Sequence, residues 1–327
     1  MKLHLDRDAF EAIILSVANR QGIRPDVLEK DYYVTLMLAE LSENQADLKA
    51  YFKGGTALYK ALRTMNRFSE DIDLTVYVED CKTNSQKKKR LEKSAEGYNC
   101  LLMINDPDNY KSKGSITVVY GYDPIFNDEL DDPLRRFGRV KIEATSFTVS
   151  EPIETIKIAA LLYESATDGE KDILKNTYQV LPFTILTIKL ERIFIDKVFA
   201  AEFYFRKLDD LSLNWTEREG YAFDVAKHIY DLMVLYDHPI IQSLLSNGIE
   251  LRQMIRFKRD EEQARTGGIE ESLRIRDFSY LRQAFEHDLL SSAYQRMQDT
   301  YVFHDNDKKS LSDAARVFSA ILRIDEG

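Results

Sequence analysis

Apolar positions along this chain change period twice. From Arg7 to Arg20, and again from Pro25, they recur every three or four residues, with Val27, Leu28, Tyr32, Tyr33, Leu36, Met37 and Leu41 falling on one helical stripe. Pro25 suits a helix start, where its missing N–H has no partner to lose. Tyr51-Phe52-Lys53 reads as a short strand ended by Gly54-Gly55, and Thr56 to Leu62 as a helix whose N-terminus abuts those glycines. From Asp71 to Val78 the period drops to two. Ile72, Leu74, Val76 and Val78 then share one face and Asp71, Asp73, Thr75 and Tyr77 the other, which predicts a half-buried strand with a polar side. Ile116 to Tyr122 and Arg139 to Phe147 read as further strands, the second setting Val140, Ile142 and Ala144 against Lys141, Glu143 and Thr145. The strand-rich segment spans roughly residues 51 to 160. From Leu186 onward the helical character returns, in a long segment without Gly or Pro that carries Ile188, Ile193, Ile195, Val198, Phe199, Phe203 and Phe205. Glu217 to Tyr236, Ile240 to Lys258 and Ile275 to Met297 follow as helices. The expected fold class is α+β: helices at residues 1–50 packed on a mixed-sheet core at 51–185, then a helical domain at 186–327.

Composition narrows the function. With 44% hydrophobic and 31% charged residues and only 13 Gly and 7 Pro, the chain is neither disordered nor collagenous. Its most apolar stretches, Ile156 to Tyr163 and Phe183 to Leu190, are short and contain a lysine, whereas a membrane span needs about 20 apolar residues. The first apolar run, Ile13 to Val17, follows Asp6, Asp8 and Glu11, so no export signal is expected. Cys81 and Cys100 have no zinc-type spacing and the five histidines show no metal pattern; a reducing, cytoplasmic setting fits both. The net charge of −10 repels nucleic acid on average. Any RNA contact must therefore rest on local positive ground: Lys87-Lys88-Lys89-Arg90, within a solvated helix spanning Lys82 to Lys93, or the group Arg135, Arg136, Arg139 and Lys141.

The chemistry concentrates in Phe52 to Leu74, FKGGTALYKALRTMNRFSEDIDL. Glycines let a backbone approach phosphate closely, and N–H groups at the helix start near Thr56 can take up negative charge. On a strand, Asp71 and Asp73 project to the same side, roughly 6 to 7 Å apart, where their carboxylates can share divalent cations. Two such ions serve in-line nucleotidyl transfer by activating the attacking oxygen and neutralising the leaving pyrophosphate. A Gly-Gly pair alone is a common turn and an Asp-x-Asp strand can be a solvated edge. It is their combination, with Ser69 two residues ahead of Asp71, that points to a site.

These residues, Gly54, Gly55, Thr56 and Leu58 followed by Arg67, Ser69, Asp71, Ile72, Asp73 and Leu74, resemble the signature of the AbiEii/AbiGii abortive-infection toxin family, a branch of the DNA polymerase β-like nucleotidyltransferases. Glu29-Lys30-Asp31-Tyr32-Tyr33 is similar to a stretch the family carries upstream. The segment Glu191 to Lys197 resembles the helix that supplies its active-site lysine, which places that role on Lys197; Lys227 to Leu232 resembles its Arg-Asp-x-Tyr-Asp-Leu helix, which matches Asp231 to the later acid. Lys227 and His228 depart from that pattern, and their roles stay open. The resemblance covers about residues 29 to 235 and implies a polymerase β-like sheet with the nucleotide held between core and helical domain. It implies Mg²⁺ on Asp71 and Asp73, phosphates held by Gly54, Gly55, Thr56 and Ser69, and Lys197 neutralising the triphosphate of an NTP. Glu143 reads either as a third metal-binding carboxylate or as the cross-strand partner of a lysine. Lys197 could instead snorkel to the surface, and Asp231 could be a helix-surface acid or could orient Lys197. The implied reaction moves a nucleoside monophosphate to an acceptor, with tRNA 3′ ends favoured, in a toxin of a toxin–antitoxin pair acting in phage defence; a separately encoded antitoxin is the expected partner. Transfer to a protein hydroxyl and a non-catalytic interaction role are the alternatives.

Overall fold

The computed structural model describes residues 2–62, 67–126, 137–147, 152–265 and 267–326. The chain divides into two compact units. The first holds the sheet and runs from the amino terminus to Thr187; the second runs from Ile188 to the carboxy terminus and takes in Arg67. Residues 1–50 thus belong to the same unit as the sheet.

In the first unit, α1 (Arg7–Gln21) is capped by Asp6, whose carboxylate accepts from Ala9 N–H, and stops at Gly22 in the left-handed region at φ 67°. α2 (Pro25–Leu48) starts on its proline and packs against the sheet. Then follow β1 (Ala50–Lys53), α3 (Gly54–Leu62), β2 (Ile72–Val76) and α4 (Asn84–Glu96), the last opened by a Thr83/Gln86 capping box. β3 (Leu102–Met103), β4 (Tyr110–Lys111), β5 (Ser115–Gly121), β6 (Arg139–Thr145) and β7 (Ile153–Ile158) lead to α5 (Leu161–Glu164), α6 (Asp168–Asn176) and β8 (Phe183–Ile188). The strands form one mixed sheet in the order β3-β5-β6-β2-β1-β8-β7, with β4 beside β5. β1 and β2 are antiparallel, β2 and β6 parallel, and β1 and β8 parallel.

Two differences from the sequence reading concern this sheet. β8 reaches Ile188, so the boundary expected at 186 falls inside a strand, and the helical segment begins at Leu190. β3, β4, β7 and β8 also join the predicted strands. The stretch Glu29-Lys30-Asp31, buried throughout, fastens the unit together: Glu29 accepts from the N–H groups of Ile125 and Phe126, and Lys30 donates to the carbonyl of Arg139. Asp31 accepts from Lys60, the Tyr59 hydroxyl and Leu161 N–H. Three donors satisfy the oxygens of this buried carboxylate and offset the cost of taking it out of water.

The second unit is helical: α7 (Leu190–Phe205), α8 (Trp215–Tyr236), α9 (Pro239–Ser246), α10 (Gly248–Ala264), α11 (Tyr280–Gln283), α12 (Asp288–Tyr301) and α13 (Ala314–Ile321). α7 pairs with α8, α12 and α13 pack on α8, and α10 packs on α7. The α7–α10 seam is ionic: Arg192 bonds Asp196 and Glu261, while Lys258 bonds Asp196, Glu261 and Glu262. The helices expected over Ile240–Lys258 and Ile275–Met297 are each broken, the second because His287 caps α12 by accepting from Leu290 N–H.

Candidate active site

The turn from β1 into α3 rests on one residue. Gly54 stands at φ +79°, and a Cβ built on it would lie 1.9 Å from Oδ2 of Asp73. No other residue type fits both the conformation and the space. The β1–β2 register sets Lys53 opposite Asp73, and the β2–β6 register sets Asp73 opposite Glu143, so one row of the sheet reads Lys53, Asp73, Glu143. The glycine turn and Asp73 therefore face one another, with Glu143 next along the same face.

Asp71 lies just ahead of β2. Lys141, two residues before Glu143 on β6, reaches both acids: its Nζ is 3.1 Å from Asp71 Oδ2 and 2.6 Å from Glu143 Oε1. Burial works against the charge on this lysine, but Asp71 and then Glu143 outweigh it and hold the pKa above the usual lysine range. Thr56 is fully buried; its hydroxyl donates to the Asp71 carbonyl and lies 3.1 Å from Ser69 Oγ, so it pins the segment that carries Ser69 and Asp71. Gly55 is buried beside it at the start of α3.

Among the described residues, no three His, Cys, Asp or Glu side chains are already arranged round a common metal position. The donor set nonetheless fits a hard divalent ion. Asp71 and Glu143 are carboxylates that already converge on one cation, the Lys141 ammonium, with Asp73 level with Glu143 on the next strand.

In the helical unit, α7 supplies Lys197 and α8 supplies Asp231. Asp231 is fully buried, Lys197 nearly so, and their charged atoms are 2.9 Å apart. Arg67 clasps the same carboxylate with two bonds of 2.8 Å, from Nε to Oδ1 and from Nη2 to Oδ2. Burial pushes the Asp231 pKa up, yet Arg67 and then Lys197 more than reverse this and hold it below the usual carboxylate range. Lys197 therefore does not snorkel, and Asp231 is not a surface acid: each is enclosed by the α7–α8 packing. The two departures from the motif lie alongside. Lys227 pairs with Asp224 at 3.6 Å and stands over the Tyr301 ring, while His228 stacks on Tyr204 with ring centroids 5.5 Å apart. Burial, then Lys197, pulls the His228 pKa well below its ordinary value, against the pull of Asp231.

The sequence model of the family described as nucleotidyl transferase AbiEii toxin, type IV TA system, matches residues 35–322. The chain belongs to this family. No curated protein sequence matches it. As an AbiEii protein it is a nucleotidyltransferase toxin of a type IV toxin–antitoxin system, which brings with it an NTP substrate and an antitoxin partner.

The first basic group forms a solvated face in this AbiEii toxin. On α4, Lys87 reaches Glu79, Lys88 reaches Glu92 and Arg90 reaches Asp80, all near the surface, with Lys88 75% exposed. In the second group, Arg139 is spent on Asp106 and Asp108 of the loop between β3 and β4, and Lys141 on Asp71 and Glu143. Arg135 and Arg136 lie outside the described residues. No helix is long and apolar enough to cross a membrane. The sequence reading missed Lys141 as the partner of these acids, although the alternation of β6 puts it on the same face as Glu143.

Proposed function

We propose that this toxin transfers a nucleoside monophosphate from an NTP to an acceptor hydroxyl at the tRNA 3′ end, blocking charging and arresting growth as a means of phage defence. The acceptor oxygen forms a bond to the α-phosphorus, the bond from that phosphorus to the bridging oxygen breaks, and pyrophosphate leaves. Asp71 and Asp73, with Glu143, would hold Mg²⁺. When bound, the ion supplies charge neutralisation at the phosphates and activation of the attacking oxygen. The Gly54-Gly55-Thr56 turn offers backbone N–H groups to phosphate, with Ser69 as a further donor, and Lys197 supplies a compact positive charge for the triphosphate. Asp231 holds Lys197 in place by the 2.9 Å ion pair.

The observation that carries this reading is the seating of Gly54 directly against the Asp73 carboxylate, with Glu143 opposite on the adjoining strand. It places a close-approach backbone turn and an acidic pair on one sheet face, as triphosphate and metal together require. The test incubates the purified toxin with each labelled NTP, Mg²⁺ and total tRNA. Label should enter tRNA and disappear with Asp71→Asn, a near-isosteric change at a partly exposed side chain that leaves Lys141 its contact with Glu143, and thermal melting checks that the variant folds. Equal transfer by Asp71→Asn would sink the mechanism, and label in protein in place of RNA would move the acceptor to a protein hydroxyl.

A further inference from the structure

A metal-binding role for the acids does not call for Lys141 on their face. Its ammonium contacts both Asp71 and Glu143, the position from which a cation would be shared between those two side chains. Among the other nearby cations, Arg139 is held by Asp106 and Asp108 and Lys53 reaches Thr145 Oγ1 at 3.4 Å, while Lys30 donates to the Arg139 carbonyl and adds its field at Asp71 and Glu70. A purely structural ion pair explains little. The side chains of Lys141, Asp71 and Glu143 are 22%, 35% and 40% exposed, where such pairs add about 0 to 1 kcal/mol, and β2 is already tied to β6 by its ladder.

We propose that Lys141 is a built-in counterion that competes with the divalent cation for Asp71 and Glu143, so that the free toxin holds metal weakly and gains it together with the triphosphate. The inference rests on the metal-binding reading of those acids. Without nucleotide, a divalent ion must displace an ammonium already bonded to two of its ligands. With nucleotide, the phosphate oxygens offer the ammonium a new partner and the ion additional ligands, and both changes favour the exchange. The toxin would then carry a neutralised acidic cluster between turnovers without a resident metal.

The test measures Mn²⁺ binding to the full-length protein by calorimetry and by electron paramagnetic resonance, with and without a non-hydrolysable NTP analogue. Lys141→Met should raise Mn²⁺ affinity in the absence of nucleotide by about ten-fold or more, equivalent to at least about 1.4 kcal/mol. Lys141→Arg, which keeps the charge, should leave it low. The analogue should raise the affinity of the wild type more than that of Lys141→Met and so narrow the gap. Because Lys141 is partly exposed, neither variant opens a core cavity, and thermal melting checks their folding. Equal or weaker Mn²⁺ binding by Lys141→Met would overturn the counterion role while leaving the metal site standing. No Mn²⁺ binding by any of the three proteins, with or without analogue, would remove the metal site itself and the proposal with it.

Discussion

Gly54 carries two demands that no other side chain meets at once: a left-handed backbone at φ +79° and empty space where Asp73 Oδ2 stands 1.9 Å from an added Cβ. Gly54→Ala should therefore cost about 1 to 3 kcal/mol of backbone strain and push Asp73 off its row beside Glu143. The expected outcome is a lowered melting temperature together with loss of NMP transfer; an alanine variant that melts and transfers like the wild type would show that the turn does not set the acid. His228 offers a second check at this scale, through pH. Its Nδ1 is buried without a hydrogen-bond partner among the described residues; burial first, then Lys197, Arg67 and Lys227, hold its pKa down, and Asp231 opposes them. Since the folded pKa lies below the unfolded one, the unfolded chain takes up a proton first. The stabilising effect of a neutral His228 is complete above the ordinary histidine range and is lost as pH falls from about 6.5 toward the folded pKa, at up to about 1.4 kcal/mol per pH unit. His228→Phe keeps the stacking on Tyr204 and removes the proton uptake. Melting curves between pH 7.5 and 5 should show a shallower acid-side loss for the variant, with part of the slope kept by His4, whose pKa burial also lowers; identical slopes would place the proton elsewhere.

At the scale of elements, legibility followed periodicity. β6 alternates cleanly and β2 does so apart from Thr75, which is buried; the structure buries Ile72, Leu74, Val140, Ile142 and Ala144 while leaving Asp71, Asp73, Lys141 and Glu143 on the other face. α1 and α2 were readable because the Arg7–Arg20 pattern and Pro25 announce them. β8 was not, since FTILTI is apolar with no polar alternation, and such a run does not distinguish a buried strand from a helix start. β3 and β4 are two residues long, too short to have any period. The site shows the same division. The Gly54–Asp73 meeting follows from a strand–turn–helix–strand order visible in sequence. The pairing of Lys141 with Asp71 depends on which strand lies beside β2, a long-range choice that local pattern does not encode. The bond from Arg67 to Asp231 likewise joins residues far apart along the chain, and only the fold reveals that Asp231 holds two cations at once.

The charge of the whole molecule decides how an RNA acceptor can approach it. A net charge of −10 repels a polyanion, and the fold binds Arg139 and Lys141 of the second basic group to acids. What remains among the described residues is α4, where Lys87, Lys88, Lys89 and Arg90 follow one another and the lysine ion pairs are solvent-exposed and cheap to break. If α4 carries the RNA, the contact is electrostatic and must weaken steeply with salt. For about three phosphate contacts to single-stranded RNA, a rise from about 50 to about 200 mM NaCl should lower tRNA affinity roughly 20-fold. Reversing Lys88 and Lys89 to glutamate should both weaken binding and flatten that salt dependence, while Arg90 is left in place because it also donates to the Tyr77 carbonyl. NTP binding, which the proposed mechanism assigns to Lys197 and the Gly54 turn, should be unchanged in the same variant. Electrophoretic or anisotropy titrations of tRNA at several salt concentrations check both arms. If the reversal leaves tRNA use and its salt slope as they were, a local basic landing site on α4 is excluded, and the protein-hydroxyl acceptor gains at the expense of RNA.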